Sequence, residues 1–261
     1  MPGITEQIFW YVTIALHACL VWRMFRLRLL ARYPLISALL LMQLVRSLWL
    51  TRFLVSAESF RWHMNEYAYT IFFTEPVLIA ARAAAVFEIC AAALQSYRGL
   101  AFLSRITLLI ALGFSLAVSL FLHWPEFDFS GEIYQWLRVQ HLVETTVYSA
   151  LLIFLFLLAL FVLYHPALIR RNLLAHGVGF SVYMLSTSAA LWLRNQDAEQ
   201  WTRAASTLRL GVTVAGLAAW AWLLSPRGEE ETVEVHVPLS AATEQRVLAR
   251  LEALNSALER K

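Results

Sequence analysis

The chain has almost no lysine. Of its 21 basic residues only one, Lys261, is a lysine, and it is the last of the 261 residues. A retinal-type Schiff base requires a lysine amine inside a helical bundle, so this chemistry is excluded. The other basic residues are arginines dispersed at the ends of apolar runs, and no soluble module with a basic face, as nucleic-acid binding requires, is present.

Cysteine, charge and catalytic motifs are also scarce. Cys19 and Cys90 lie within apolar segments, so they are expected to be small core residues rather than a disulfide or a redox pair. Charged residues make up 15% of the chain, against roughly 25% in ordinary soluble domains. The sequence has no nucleophile elbow, glycine-rich phosphate loop or HExxH motif. We therefore expect no catalytic residue, no metal site and no cofactor.

Long apolar runs dominate what is present. Hydrophobic residues make up 60% of the chain, and an apolar run of about 20 residues can cross a bilayer. Seven such runs predict an all-α, polytopic membrane protein with a seven-transmembrane-helix bundle over residues 1–224. The predicted helices cover about residues 8–30, 35–55, 69–96, 101–122, 139–164, 173–193 and 204–224. The first run follows a start without basic residues, which favours a retained helix over a signal peptide.

Arginines mark every second connection between these runs. Four lie between residues 23 and 32, two at the third connection and two in the fifth, whereas the fourth connection, residues 123–136, is acidic. Because Lys and Arg accumulate on cytoplasmic loops, this pattern predicts an N-terminus outside and a C-terminus in the cytoplasm. Tryptophans are expected at both interfaces, with Trp22, Trp220 and Trp222 at the cytoplasmic one.

Small residues predict where helices approach closely. Gly211, Ala215 and Ala219 form one ridge of the seventh helix, and Ala81 and Ala85 lie on the third. Small side chains let helix backbones come together in lipid, where no hydrophobic force drives association. We therefore expect the third and seventh helices to be central to the bundle.

The C-terminal segment differs in character. Residues 225–239 are predicted to be a linker, within which Thr232–Val237 alternates like a short strand or extended chain. Residues 240–261 are predicted to form a cytoplasmic amphipathic helix, which begins at an N-cap Ser240. Its apolar stripe is the candidate docking surface for a protein partner or for a second copy of the chain, and consists of Val247, Leu251, Leu254 and Leu258.

Polar residues within the apolar runs define the candidate site. Charges at membrane depth are costly, so they are expected to face the bundle interior and to pair. Helical spacing places Glu75 and Arg82 on one face of the third helix, and His141 and Glu144 on one face of the fifth. His17 is expected near the midplane, whereas His176 is expected at an interface or in a loop. The candidate site residues, which should converge mainly toward the outer side, are Arg46, Glu75, Arg82, Glu88, His141, Glu144 and Arg209.

Three interpretations of this cluster are open. The charges can form a structural ion-pair network that locks helix packing. They can line an outward-facing pocket, where arginines suit a carboxylate-bearing ligand because guanidinium binds such groups bidentately. Alternatively, His141 with Glu144 and Glu75 can serve an intramembrane enzyme or a proton-coupled carrier.

The overall plan resembles that of uncharacterised seven-helix membrane proteins of bacteria, acidobacteria especially. The resemblance rests on Tyr33-Pro34-Leu35 after the basic first loop, on Arg46, on Glu75, on the Val86–Ile89 step and on the tail around residues 251–255. More distantly, the plan is similar to the seven-helix sensor modules of bacterial histidine kinases. The resemblance implies a multi-pass protein of the bacterial inner membrane, although no kinase domain follows the last helix here.

These observations favour a binding protein over an enzyme. We expect an integral membrane sensor or accessory subunit, with an outward-facing polar cavity and a C-terminal helix that docks on a partner. The alternatives are the intramembrane enzyme or carrier above, and a structural subunit of a larger membrane complex. The last of these predicts that the buried charges pair completely and leave no cavity.

Overall fold

The computed structural model describes residues 4–53, 64–95, 98–123, 133–164, 168–196 and 202–234, with four single positions (245, 249, 252 and 253) beyond them. The described residues form seven helices and two short strands, so the predicted all-α class is confirmed. The helices are α1 (Ile4–Arg26), α2 (Pro34–Thr51), α3 (Met64–Ala93), α4 (Arg98–His123), α5 (Ile133–Tyr164), α6 (Arg171–Gln196) and α7 (Thr202–Leu223). The strands are β1 (Leu168–Arg170) and β2 (Thr232–Glu234).

Five of the helices are long and apolar enough to cross a membrane, which indicates a membrane protein. These segments are Gln7–Arg26, Pro34–Thr51, Asn65–Ala93, Phe102–Phe121 and Val139–Leu163. A shorter apolar segment, Thr207–Leu223, lies in α7. Helix α6 is the least apolar of the seven, because it carries Asn172, His176 and a Ser-Thr-Ser run at 186–188.

Six helices form a closed ring and the seventh lies outside it. Neighbours around the ring follow the order α1, α2, α3, α5, α6, α7 and back to α1, and α3 also reaches α6. Helix α4 packs on the outside against α5 and α3. Its outward side chains, such as Phe114 and Phe121, are mostly exposed and apolar. We call the end where α1 begins the distal end, and the end where α1 stops and α2 starts the basal end.

The small-residue ridge predicted on α7 does not make the contact, so that prediction is wrong. A side chain at Gly211 would meet open space, and Ala215 and Ala219 are exposed. The close approach between α6 and α7 lies instead at Gly179, where an added Cβ would come within 2.6 Å of the Trp220 ring. Trp220 is therefore buried by helix packing rather than exposed at an interface.

The α1–α2 connection is a tight turn built on arginine. Arg28 adopts a φ of 55°, a left-handed conformation usually taken by glycine. The Leu29 amide donates to the Met24 carbonyl at 2.9 Å, which closes the end of α1 in a Schellman-type arrangement. Leu29 itself is buried, so the turn returns the chain directly into the core.

The basal end is closed by a segment that we call the basal clasp, residues 168–172 and 225–234. Strands β1 and β2 pair antiparallel, with Leu168 opposite Glu234 and Arg170 opposite Thr232. The Asn172 side chain accepts from the Ser225 amide at 2.9 Å and donates to the Ser225 carbonyl at 3.0 Å. The first part of the predicted linker is thus packed against the bundle. The predicted docking residues lie outside the described residues: Val247, Leu251, Leu254 and Leu258.

The cysteines differ from each other. Cys90 is buried and lies 3.0 Å from the Ser104 hydroxyl, as a small core residue should. Cys19 is exposed on α1, so the prediction of a core position for it is wrong. Each helix of the ring has one face that points outward. A small apolar residue such as Cys19 can lie on that face in contact with lipid.

Candidate functional site

The centre of the site is a carboxylate held between two guanidinium groups. Glu75 of α3 forms ion pairs with Arg46 of α2 through one oxygen and with Arg82 of α3 through the other, the latter at 2.6 Å. Arg82 also donates to the Tyr148 hydroxyl of α5, which itself donates to Glu75 at 3.2 Å. The predicted convergence of α2, α3 and α5 is present at these residues.

This arrangement follows from helix geometry and from the cost of burying charge. Glu75 and Arg82 are seven residues apart, so they share a face of α3. Only 4% of the Arg82 side chain is exposed, so its charge needs a close partner. Tyr148 and Tyr183 lie with ring centroids 5.1 and 5.5 Å from the guanidinium carbon, which adds cation–π attraction.

A second, looser set lies beside the first. Glu144 of α5 is buried, and its oxygens lie 3.4 Å from His141 Nδ1 and 3.9 Å from an Arg209 nitrogen. Neither distance is that of a strong charge-assisted hydrogen bond. In the part of the chain that the structure describes, the Arg209 side chain makes no hydrogen bond, so its guanidinium retains donors for another partner.

The first set, together with Arg209 of the second, borders a partly open cavity of about 460 Å³ in the distal half of the bundle. Arg46, Glu75, Arg82 and Arg209 all line it, together with His17 of α1. The lining residues of α1 lie between Gln7 and His17, those of α2 between Gln43 and Leu50, and those of α7 between Arg209 and Thr213. The lining also includes the aromatic side chains Trp10, Tyr67 and Tyr183. The volume falls in the range of small-molecule sites, roughly 300–1,000 Å³.

The charges around the cavity do not balance. Three guanidinium groups, of Arg46, Arg82 and Arg209, face two carboxylates, of Glu75 and Glu144. With neutral histidines the cluster therefore carries one surplus positive charge. Such a surplus in a cavity of low dielectric attracts an anion.

His17 lies at the basal side of this cavity, between it and a smaller cavity. Its Nδ1 lies 2.9 Å from the Thr13 carbonyl and its Nε2 lies 3.0 Å from Gln43 Oε1. The carbonyl can only accept, so Nδ1 carries the proton, and a neutral ring needs the Gln43 amide turned to donate to Nε2. Below His17 lies a small cavity of about 20 Å³, which has room for a single water and reaches Trp220.

Glu88 does not belong to this cluster, which corrects the prediction. Its carboxylate accepts from the Leu35 amide at 3.2 Å and from the Ile36 amide at 2.9 Å, at the basal end. Tyr33, the residue before α2, provides no side-chain cap, so Glu88 of α3 caps α2 from outside. Glu88 thus stabilises the start of α2 and positions it against α3.

The basal end has a buried polar group for which the sequence indicated no partner. His176 is fully buried in α6 and accepts from the Trp220 indole N–H at 2.9 Å through Nδ1. Its ring lies 4.8 Å from that of Tyr33, edge to face. The Tyr33 hydroxyl donates to Glu229 of the basal clasp at 3.1 Å. No periodicity in the sequence could have joined these residues, since they come from α6, α7, the first loop and the clasp.

Glu229 of the basal clasp interacts with several other residues at the basal end. It forms an ion pair with Arg32 at 2.8 Å and a longer one with Arg170 at 3.8 Å. Burial and the Glu229 carboxylate raise the pKa of the Tyr33 hydroxyl above its ordinary value, so this group stays protonated and remains a donor. Arg32 and Arg170, which belong to the arginine pattern that predicts topology, thus also attach the basal clasp to the bundle.

The described part of the chain contains no group of three or more His, Cys, Asp or Glu side chains placed to hold a metal ion. Comparisons with protein families, with curated proteins and with solved structures found no match to this chain.

Proposed function

We propose that this protein is a seven-span integral membrane sensor or accessory subunit that binds a small carboxylate-bearing ligand in its distal cavity. The single observation that carries the proposal is the cavity itself, which is lined by three arginines and one glutamate, Glu75. A purely structural charge network would fill its own space and pair fully. Here the weakly paired Arg209 lines an open volume instead.

The lower apolarity of α6 and α7 is consistent with seven spans. Both helices complete the ring, and both contribute to the two cavities through Tyr183, Arg209 and Thr213. Polar residues are tolerated in a spanning helix where they face the bundle interior or a cavity. The arginine pattern then supports an N-terminus outside, so that the distal cavity faces outward and the basal clasp lies in the cytoplasm of a bacterial cell.

The ligand class follows from the lining. Arginines recognise carboxylates bidentately, and one surplus positive charge matches a monocarboxylate better than a dicarboxylate. Trp10, Tyr67 and Tyr183 provide aromatic surface beside these charges. A small aromatic monocarboxylate is therefore a suitable probe of the site.

Binding of benzoate to the purified protein in nanodiscs tests this proposal. We expect saturable binding, and we expect Arg209→Gln to weaken it about tenfold or more, because a charge-assisted hydrogen bond is lost. The matched control is Arg105→Gln, which makes the same change at an exposed position on α4, away from the cavity. Absence of saturable binding of benzoate, acetate and succinate alike, or equal loss in both variants, contradicts the proposal.

A path of neighbouring residues connects this cavity to the basal clasp, as a sensor requires. Arg82 and Trp220 line the same small cavity. Trp220 donates to His176, the His176 ring contacts Tyr33, and Tyr33 donates to Glu229. The first step passes through the small cavity and the other three are packed or hydrogen-bonded pairs, so a displacement at one end can alter the other.

The orientation has its own test. A fluorescent protein that folds only in the cytoplasm should fluoresce when fused after residue 261, and should remain dark when fused before residue 1. A periplasmic phosphatase at the same two positions should show the opposite activities. The reverse result in both reporters would place the cavity on the cytoplasmic side and remove an external ligand.

The carrier alternative rests on one observation, the contact between His141 and Glu144, which lies next to Arg209 of the cavity lining. It predicts proton uptake coupled to transport of the probe into proteoliposomes. The sensor proposal predicts binding without transport, so the same benzoate probe distinguishes the two functions.

A further inference from the structure

A separate cavity lies on the other side of α3, between α3, α4 and α5. Its volume is about 390 Å³, and apart from Gln140 and Trp136 its wall consists of purely apolar side chains. Leu112 and Leu116 come from α4, and Val143 and Val147 from α5. The cavity exists because α3 presents Ala80 and Ala83 here, which leave a gap that larger side chains would fill. It shares no lining residue with the distal cavity.

Gln140 is the exception in this wall. The residue is 7% exposed, and its Nε2 lies 3.4 Å from the Ile71 carbonyl, a weak hydrogen bond. That contact fixes the orientation of the amide, because a carbonyl can only accept. Oε1 is then the other end of the amide, and it is buried without a hydrogen-bond partner among the described residues. A buried acceptor in this state favours a ligand that brings a donor.

A proline in α3 removes one backbone donor beside the same cavity. Pro76 lies inside α3 and lines the cavity with Phe72. Proline has no backbone N–H, so the Phe72 carbonyl lacks the donor four residues on that a helix normally supplies. Two partial negative charges, Gln140 Oε1 and the Phe72 carbonyl, therefore belong to residues of one otherwise apolar cavity.

The position of these groups suits a lipid. Gln140 is the second residue of the apolar segment Val139–Leu163, so it lies near one edge of the membrane band. The remaining wall extends from there toward Val147 and Ala83, deeper in the same band. An occupant that enters from the bilayer would thus have its polar group near the interface and its apolar body below, as a membrane alcohol does.

We propose that this cavity binds a neutral, hydroxyl-bearing apolar lipid, whose hydroxyl donates to Gln140 Oε1 or to the Phe72 carbonyl. A carboxylate or a phosphate is disfavoured, because an anion would approach the acceptor Gln140 Oε1 and no cation of the described residues lines the cavity. A pure hydrocarbon would fill the space but would leave Gln140 Oε1 without a donor. Selectivity for the hydroxyl is therefore the property that separates a specific site from ordinary lipid contact.

A matched pair of probes tests this selectivity. Farnesol and farnesyl methyl ether share one chain and one oxygen, but only farnesol has a donor. In thermal-shift titrations of the full chain in phosphatidylcholine nanodiscs, we expect farnesol to bind about fivefold or more tightly than the ether, the discrimination that one hydrogen bond provides. Equal binding of the two probes, or no shift with either, overturns the proposal.

Two variants and a control locate the site. Gln140→Leu should remove the preference for farnesol, because the acceptor is lost. Gln43→Leu makes the same change in the distal cavity and should leave the preference intact. If Gln140→Leu does not fold, Leu112→Trp provides the second test, since it fills the cavity from α4 and should abolish binding of both probes. Unchanged farnesol binding in Leu112→Trp also overturns the proposal.

Discussion

At the scale of the residue, Glu75 organises the site. It is buried on α3 and has arginine partners on two helices, Arg46 and Arg82. Desolvation of two guanidinium groups is tolerated only because this carboxylate compensates them. Glu144, by contrast, has partners at longer distances, so it constrains its surroundings less.

Glu75→Gln should strongly destabilise the protein. The amide is isosteric but neutral, so the two arginines lose the carboxylate that compensates them, at a cost of roughly 3–5 kcal/mol. The measurement is thermal unfolding in detergent. Glu66→Gln, an exposed position in the first turn of the same helix, is the control and should change stability by less than about 0.5 kcal/mol. Equal effects of the two variants would show that the Glu75 charge has no structural role.

At the scale of the element, the contact between α6 and α7 is closest at one glycine. An added Cβ at Gly179 would lie 2.6 Å from the Trp220 ring, whereas one at Gly177 meets nothing within 4 Å. The Trp220 ring is also held by the Phe180 ring at 5.2 Å and by its hydrogen bond to His176. The indole therefore cannot move aside without disturbing the basal end.

Gly179→Ala should destabilise the bundle, by about 1–3 kcal/mol, because it overpacks a fixed interface. Gly177→Ala, two residues earlier on the same helix, should instead stabilise the protein by roughly 0.5–1 kcal/mol through helix propensity. Thermal unfolding of the two variants side by side checks the difference in sign. A stabilising effect of both substitutions would mean that α6 and α7 do not pack through this glycine.

At the scale of the whole molecule, the ring order separates three regions. The distal cavity lies among α1, α2, α3, α6 and α7, and the proposed lipid cavity lies between the ring and α4. The basal clasp closes the opposite end. Helix α3 borders both cavities, and its Glu88 caps the start of α2. A shift of α3 would therefore change the shape of both cavities and the position of α2 at the basal end.

The path from Arg82 to Glu229 predicts coupling between the ends. Glu75→Gln should increase hydrogen–deuterium exchange in residues 168–172 and 225–234, because Arg82 is released at the upper end of the path. In the double variant with Trp220→Phe, which lacks the hydrogen bond to His176, this increase should be reduced about fivefold or more.

Trp222→Phe is the matched control for this coupling. Trp222 is two residues further on but 79% exposed, so its substitution should leave the Glu75→Gln effect unchanged. If the exchange increase survives Trp220→Phe, the path is not the route of coupling. Because no ligand is used, this result is independent of whether benzoate binds.

How much of the fold could be predicted from the sequence differs between these scales. Each of the seven apolar runs overlaps one helix, because length and apolarity are properties of the local chain. Glu75 and Arg82 could be paired in advance because they share a helix face. Glu88 could not be assigned, since its partners are backbone amides of α2, and neither could His176, whose partners lie on α7 and in the first loop.

The sequence by itself determined the helices, the apolar character and the faces on which charges lie. Only the tertiary structure decided that α4 is left outside the ring, that Arg209 meets a cavity and that Gln140 keeps an acceptor without a partner among the described residues. The physical reason is that helical periodicity reports which face of an element is polar, but not which neighbour that face meets. That choice depends on the order of helices around the ring, and here it places an arginine-lined cavity and a mostly apolar one on opposite sides of α3.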